Sequence, residues 1–236
     1  MFLGHAALGF AAQRHAPRTP IAWLLAAPFL ADLIWPVLVL TGVEKVAIAP
    51  GITAVTPLDF VSYPWSHSLL MSGVWAALAG GLYWRVRKDA RGAWWLAALV
   101  VSHWVLDWVS HRRDVPLMPF VDCRVGLGLW YSKSATVAVE AVMLATGLGL
   151  YLAATRVRSW LGHLSLWSLV ALLVGIYVMN LTSPPPPSDR AVAMMVLGLW
   201  LLLPWGWWIW ATREVKGSAP AGSGDVGAQP VEMRSR

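Results

Sequence analysis

Apolar residues run in six long blocks, at roughly 21–41, 66–84, 93–110, 134–154, 160–182 and 190–212, and polar residues collect in the stretches between them. Each block is near the ~20 residues that carry a helix across a hydrocarbon layer roughly 30 Å thick. The third is short by that measure and leaves room for a helix that extends by a turn at its end. Tryptophans gather at several block ends, as in WGWWIW near residue 210, which suits an interfacial belt. The pattern predicts an all-α polytopic membrane protein with about six transmembrane helices. Ahead of them, MFLGHAALGFAAQ is too short to span, at about 18 Å of helix. It predicts an N-terminal half-helix that lies in the interface or dips back into the protein. No stretch reads as a cleavable leader. Residues 1–212 are expected to form one helical membrane domain, with the chemistry in about 1–145. Residues 213–236, rich in Gly, Pro, Ala and Ser, read as a disordered cytoplasmic tail. The run SPPPPS at 183–188 predicts a stiff extended connector.

Composition agrees with a membrane protein. Apolar residues make up 58% of the chain and charged residues 13%, where a soluble domain carries about 25% charge. The formal charge of +6 raises nucleic acid as a partner. The basic residues, however, sit in small clusters between apolar runs, and neither a basic helix nor a zinc module is present, so no nucleic-acid partner is expected. Those clusters set orientation instead. With six crossings, the side bearing residues 14–20, side A, carries 12 Lys and Arg against 6 on side B. By the positive-inside rule side A is the cytoplasm, and both termini fall there. The one cysteine, Cys123, excludes an intrachain disulfide and a thiolate metal cluster.

The informative residues are the ionisable ones inside the apolar blocks: Asp32, His67, His103, Asp107 and Glu140, joined by His5 of the half-helix. A charge at the bilayer centre costs about 2.5–3.5 kcal/mol even on the lowest scale. Counting residues inward at 1.5 Å each places these groups at similar depths, in the half of the membrane nearer side B. The spacing His103-x-x-x-Asp107 puts both side chains on one helix face. Imidazoles and carboxylates converging in an apolar surround are ligands for a divalent ion, zinc above all, with manganese or magnesium as alternatives. The expected metal ligands are therefore His5, Asp32, His67, His103 and Asp107. The competing possibility for His103 and Asp107 is a pair that simply satisfies itself, and for Glu140 a bond to a neighbouring helix. His15 and His163 lie near side A, away from the others.

The same residues carry a family resemblance over about 1–125. MFLGHAALGF with His5, AAPFLADLIWP with Asp32, YPWSHSLLMSG with His67 and Ser68, and VVSHWVLDWVSH followed by VPLMPF occur in an order that resembles the bacterial inner-membrane metal-dependent hydrolases described as LexA-binding and membrane-associated. Two departures stand out. The family's Pro-Asp pair is replaced by Pro28 with Asp32 four residues on, and its His-Arg pair by Tyr63-Pro64, with His111 or Arg112 as substitutes. The resemblance implies an inner-membrane location and a metal-dependent hydrolase, loosely similar to zinc-dependent phospholipase C enzymes.

Metal-assisted hydrolysis then follows as the expected activity. The ion lowers the pKa of a water, and Asp32 or Asp107 suits a bridge between two ions. Asp107 or Glu140, if free of metal, suits the proton acceptor. Arg112, Arg113 and Arg124 lie on side B, and arginine matches a phosphate with paired donors. Arg112 and Arg124 are the expected phosphate contacts, and a phosphoester in a membrane lipid or lipid-linked substrate is the expected target. The site is expected to face the periplasmic half. The alternative is a transporter or an ion or proton pathway with a buried His/Asp site. No internal repeat of the kind transporters show is visible. A purely structural polar cluster is the third possibility, although helix–helix polar contacts in membranes average only about 0.6 kcal/mol.

Overall fold

The computed structural model describes residues 1–217. The chain opens with α1 (Phe2–Ala12), turns through 13–20, and enters the first crossing as α2 (Ile21–Ala26), a 3₁₀ turn (Ala27–Phe29) and α3 (Leu30–Leu40). The break falls at Pro28, whose ring removes an N–H from the helical ladder. After the ribbon β1 (Lys45–Ile48) and β2 (Leu58–Ser62), the short α4 (Pro64–His67) leads into the hairpin of α5 (Leu69–Arg87) and α6 (Ala90–Ser110). Lys88 takes the left-handed conformation (φ 54°) that ends α5, and Asp89 caps α6 by accepting from the Gly92 N–H. A second ribbon, β3 (Val115–Met118) and β4 (Val121–Val125), precedes α7 (Lys133–Ala154), β5 (Thr155–Val157) and α8 (Leu161–Thr182). The last crossing is α9 (Asp189–Val196), a 3₁₀ segment (Leu197–Leu201) and α10 (Leu202–Thr212), followed by β6 (Arg213–Val215).

Among the described residues, five helical stretches are long and apolar enough to cross a membrane: 21–40, Ala90–Ser110, Lys133–Ala154, Leu161–Thr182 and 189–212. The third block gains its length at its start, at Ala90, and still ends at Ser110, so the extension expected at its end does not occur; α6 at 21 residues measures about 31 Å. The sixth expected crossing, α5, is 19 residues long but falls outside that set. Its last turn holds Arg85 and Arg87, and three glycines dilute its apolar character. It nonetheless packs antiparallel along α6, a helix that does qualify, so it shares that helix's depth.

The core gathers around α1, which is buried on nearly every side against α2, α6 and α7. Small residues permit this. A Cβ on Gly9 would lie 2.6 Å from the Leu24 carbonyl oxygen, and one on Gly147 would collide with the backbone of Ala7. Helix backbones therefore approach closely, as membrane helices do through small residues. The half-helix expected from the sequence is thus inserted among the crossing helices. At the side-A end, Thr155, Arg156 and Val157 pair with Val215, Glu214 and Arg213. The first residues of the expected tail, Arg213–Val215, form β6, which is tied to β5, and Arg213 is buried on Thr155 and the Gly162 carbonyl. The remainder of that expected tail lies outside the described residues.

Candidate metal centre

Five expected ligands meet in one place. His5 comes from α1, Asp32 from the first turn of α3 beyond the Pro28 break, His67 from the end of α4, and His103 and Asp107 from one face of α6. Asp107 sits at the middle. Its Oδ1 is 3.4 Å from His5 Nε2, and its Oδ2 is 3.0 Å from His103 Nε2. Asp32 Oδ1 is 3.4 Å from His67 Nε2, and its Oδ2 is 4.0 Å from His103 Nδ1. His5, His103 and Asp107 form one group of side chains able to hold a metal ion, and Asp32, His67 and His103 form a second. The Met1 amine also lies 3.0 Å from Asp107 Oδ1. All five are buried except Asp32, whose side chain is 26% exposed and marks the edge from which the cluster is reached.

Hydrogen bonding fixes which ring nitrogens face inward. His103 Nδ1 is 2.7 Å from the Pro28 carbonyl oxygen, which only accepts, so Nδ1 carries a proton. The Ser66 hydroxyl donates to Glu44 Oε2 at 2.6 Å, so its oxygen accepts from His67 Nδ1, also at 2.6 Å. Glu44 is held in turn by the backbone N–H groups of Trp65 and Ser66. In both histidines the far nitrogen is anchored and Nε2 is turned toward a carboxylate oxygen. Among the described residues, His103 Nε2 and His5 Nδ1 have no hydrogen-bond partner.

Two acceptors at such distances need a proton or a cation between them, and for His5 Nε2 and Asp107 Oδ1 the Met1 amine, 3.4 and 3.0 Å away, is one such group. Protons on both His5 and His103 would set like charges face to face, since these rings stack at 4.2 Å with 10° between planes. A metal ion avoids that conflict. Zinc bonds of 2.0–2.1 Å in a tetrahedron put neighbouring ligand atoms about 3.3 Å apart, which lies within the 3.0–3.4 Å separations found here. An anchored far nitrogen is also the usual companion of a metal-binding histidine. The residues present therefore fit a divalent ion.

The expected catalytic groups are arranged differently. Glu140 is buried, but its Oε2 accepts from the N–H of Leu3 at 2.5 Å and of Gly4 at 3.2 Å. It caps the first turn of α1, so its carboxylate is committed to the positive helix end and is not a free proton acceptor. Asp107, the other expected acceptor, is surrounded by imidazoles. Arg112 is paired with both Asp59 and Asp114. Among the described residues Arg124 pairs only with the exposed Asp122, and it lines an open cleft of about 210 Å³ with Tyr63, Asp114 and Phe120. That cleft lies beside the cluster and includes none of the five ligands.

Sequence reasoning passed over Glu44, Ser66, Asp59 and Asp114, and it named His111 only as a substitute. His111 Nε2 is 3.7 Å from Asp107 Oδ2 and its Nδ1 is 3.1 Å from Asp114 Oδ1. Tyr63 is 3.4 Å from both His111 Nδ1 and Asp114 Oδ1. Burial and then the Asp114 charge push its phenol well above the ordinary tyrosine range, so the hydroxyl stays a donor.

The fold and the cluster define a polytopic helical membrane protein able to chelate a divalent metal within its buried His/Asp groups. Residues 1–183 match the family described as YdjM inner membrane protein, and the chain belongs to that family. No curated protein and no solved structure matches the chain.

Proposed function

We propose that this inner-membrane protein is a metal-dependent hydrolase that cleaves a phosphoester in a lipid or lipid-linked substrate. The observation that carries the proposal is the pairing of anchored histidines with carboxylates, Nε2 of His103 on Asp107 and Nε2 of His67 on Asp32. A divalent ion held by His5, Asp32, His67, His103 and Asp107 would make a neighbouring water acidic enough to give a nucleophile near neutral pH, zinc being the favoured ion.

The chain's own groups divide the remaining work. Asp32, at the partly exposed edge, is the carboxylate a substrate and water reach first, and it would accept a proton only through an oxygen left free of the metal. Asp107 presents one oxygen to His5 and the other to His103, which places it at the middle of the first group. Arg124 lines the side-B cleft, and its pair with an exposed aspartate is of the kind worth about 0–1 kcal/mol, so a phosphate would compete for it readily. Arg112 already has two carboxylates, which leaves it a positioning role. A lipid-like substrate suits a cluster walled by apolar helices, with the site opening toward the periplasmic leaflet and both termini in the cytoplasm.

The test is a panel of phospholipids and prenyl phosphates assayed by mass spectrometry, with and without added zinc or manganese. Metal-dependent release of a phosphorylated or dephosphorylated product is expected, with Asp32→Asn lowering turnover by at least 100-fold at unchanged fold. Equal cleavage by that variant overturns the chemistry. Cleavage of acyl esters alone removes the phosphate role of Arg124.

A further inference from the structure

We infer that His111 is an additional ligand of the metal centre, sharing Asp107 with His103. The inference rests on the cluster being a metal centre and adds a residue that lies outside both three-membered groups.

His111 repeats the arrangement found at His103 and His67. It is buried, just beyond the last turn of α6. Its Nδ1 lies 3.1 Å from Asp114 Oδ1, and a carboxylate only accepts, so Nδ1 carries the proton. Its Nε2 is then turned toward Asp107 Oδ2 at 3.7 Å, within about half an ångström of the spacing that tetrahedral zinc sets between ligand atoms. Two neighbours hold Asp114 in place. Arg112 Nε donates to its Oδ2 at 3.0 Å, and Tyr63 approaches its Oδ1 at 3.4 Å. The Arg112 guanidinium is pinned at its other end by Asp59. The result is a carboxylate–histidine pair aimed at a shared carboxylate, the arrangement that orients metal-binding imidazoles.

Packing supports the same orientation. The His111 ring lies 4.0 Å from Trp130, 5.0 Å from Phe60 and 6.2 Å from Tyr63, centroid to centroid. Three aromatic rings and Asp114 thus restrict its rotation, and the nitrogen facing Asp107 is its one functional end. His103, Asp107 and His111 are spaced four and eight residues apart, so one side of α6 and its C-cap would supply three ligands to the centre.

The experiment compares metal binding by purified wild type, His103→Ala, His111→Ala and Asp114→Asn in detergent. Zinc content is measured by elemental analysis and affinity by competition with a chromophoric chelator. X-ray absorption on the cobalt(II)-loaded wild type counts imidazoles without relying on any variant. Wild type should bind zinc and His103→Ala should lose it. His111→Ala should bind at least tenfold more weakly or lose one equivalent, Asp114→Asn should bind roughly 10–100-fold more weakly, and the cobalt spectrum should require a fourth imidazole across the centre, beyond those of His5, His67 and His103. Wild-type content and affinity in folded His111→Ala, with His103→Ala depleted, overturns the role of His111 alone. If His111→Ala does not fold, a cobalt spectrum needing fewer than four imidazoles overturns it instead. Absence of metal from folded wild type overturns the centre as a whole.

Discussion

His103 Nδ1 donates to the carbonyl oxygen of Pro28 across 2.7 Å, and this bond joins α6 to the interruption in the first crossing. The histidine's tautomer is therefore set by a backbone atom placed by a helix break. Pro28→Ala restores an N–H and favours a continuous helix through 27–29. The expected outcome is a 10–100-fold loss of zinc affinity at nearly unchanged helical content, read by chelator competition and circular dichroism. Undiminished affinity would show that the carbonyl has no part in orienting His103.

Glu140 offers a second test, because its carboxylate serves the start of α1. Glu140→Ala removes the acceptor for the Leu3 and Gly4 N–H groups and should cost about 1–2 kcal/mol. A lowered melting temperature in detergent reads this directly. Glu140→Gln keeps one acceptor oxygen and should retain most stability, wild-type metal content and most turnover. Loss of turnover alone in that variant would restore Glu140 to proton transfer.

Gly147 and Ala7 mark where α7 and α1 touch backbone to backbone. A Cβ at 147 would fall 2.7–2.8 Å from the Ala7 backbone carbons. Gly147→Val should destabilise by roughly 1–3 kcal/mol through overpacking. It should also lower metal content, since displacing α1 carries His5 from the cluster. Gly149, with open space around its Cβ position, is the control, and Gly149→Ala should behave as wild type.

Orientation is tested by introduced cysteines in a Cys123→Ser background. Positions 85–92 should resist a membrane-impermeant thiol reagent in intact cells, and positions 112–133 should react. Protection of residues near 120 would reverse the orientation and move the proposed substrate to the other leaflet.

The legible parts of the fold were those the membrane penalises. A hydrocarbon layer demands long apolar helices, and it makes Asp32, His103 and Asp107 conspicuous because charge there requires a partner. His5 stood out for the same reason once α1 was read as dipping inward. Glu44, Asp59 and Asp114 gave no such signal, because acids in polar loops are ordinary. Only the fold brings Glu44 under Ser66 and Asp114 under His111. The partners of Arg112 were hidden for a related reason. Sequence counts Arg112 as a free positive charge on side B, whereas the ribbons return Asp59 and the turn returns Asp114 to it. The strand β6 was hidden in a Gly- and Ser-rich tail because three residues carry too little pattern to distinguish pairing from disorder.

His103 and Asp107 ride on one helix, with His111 at its end, so α6 acts as a rigid rod about 12 Å long between the two histidines. Intrahelical hydrogen bonds preserve the spacing of His103 and Asp107 whatever α6 does as a body. His5, Asp32 and His67 belong to separate pieces of chain that form a collar around the rod. A tilt or slide of α6 would leave its own separations intact while changing every distance across the collar. If the proposed substrate enters by a shift of helices, that shift is rod against collar, and α5, hairpinned to α6 beyond Lys88, would have to travel with it.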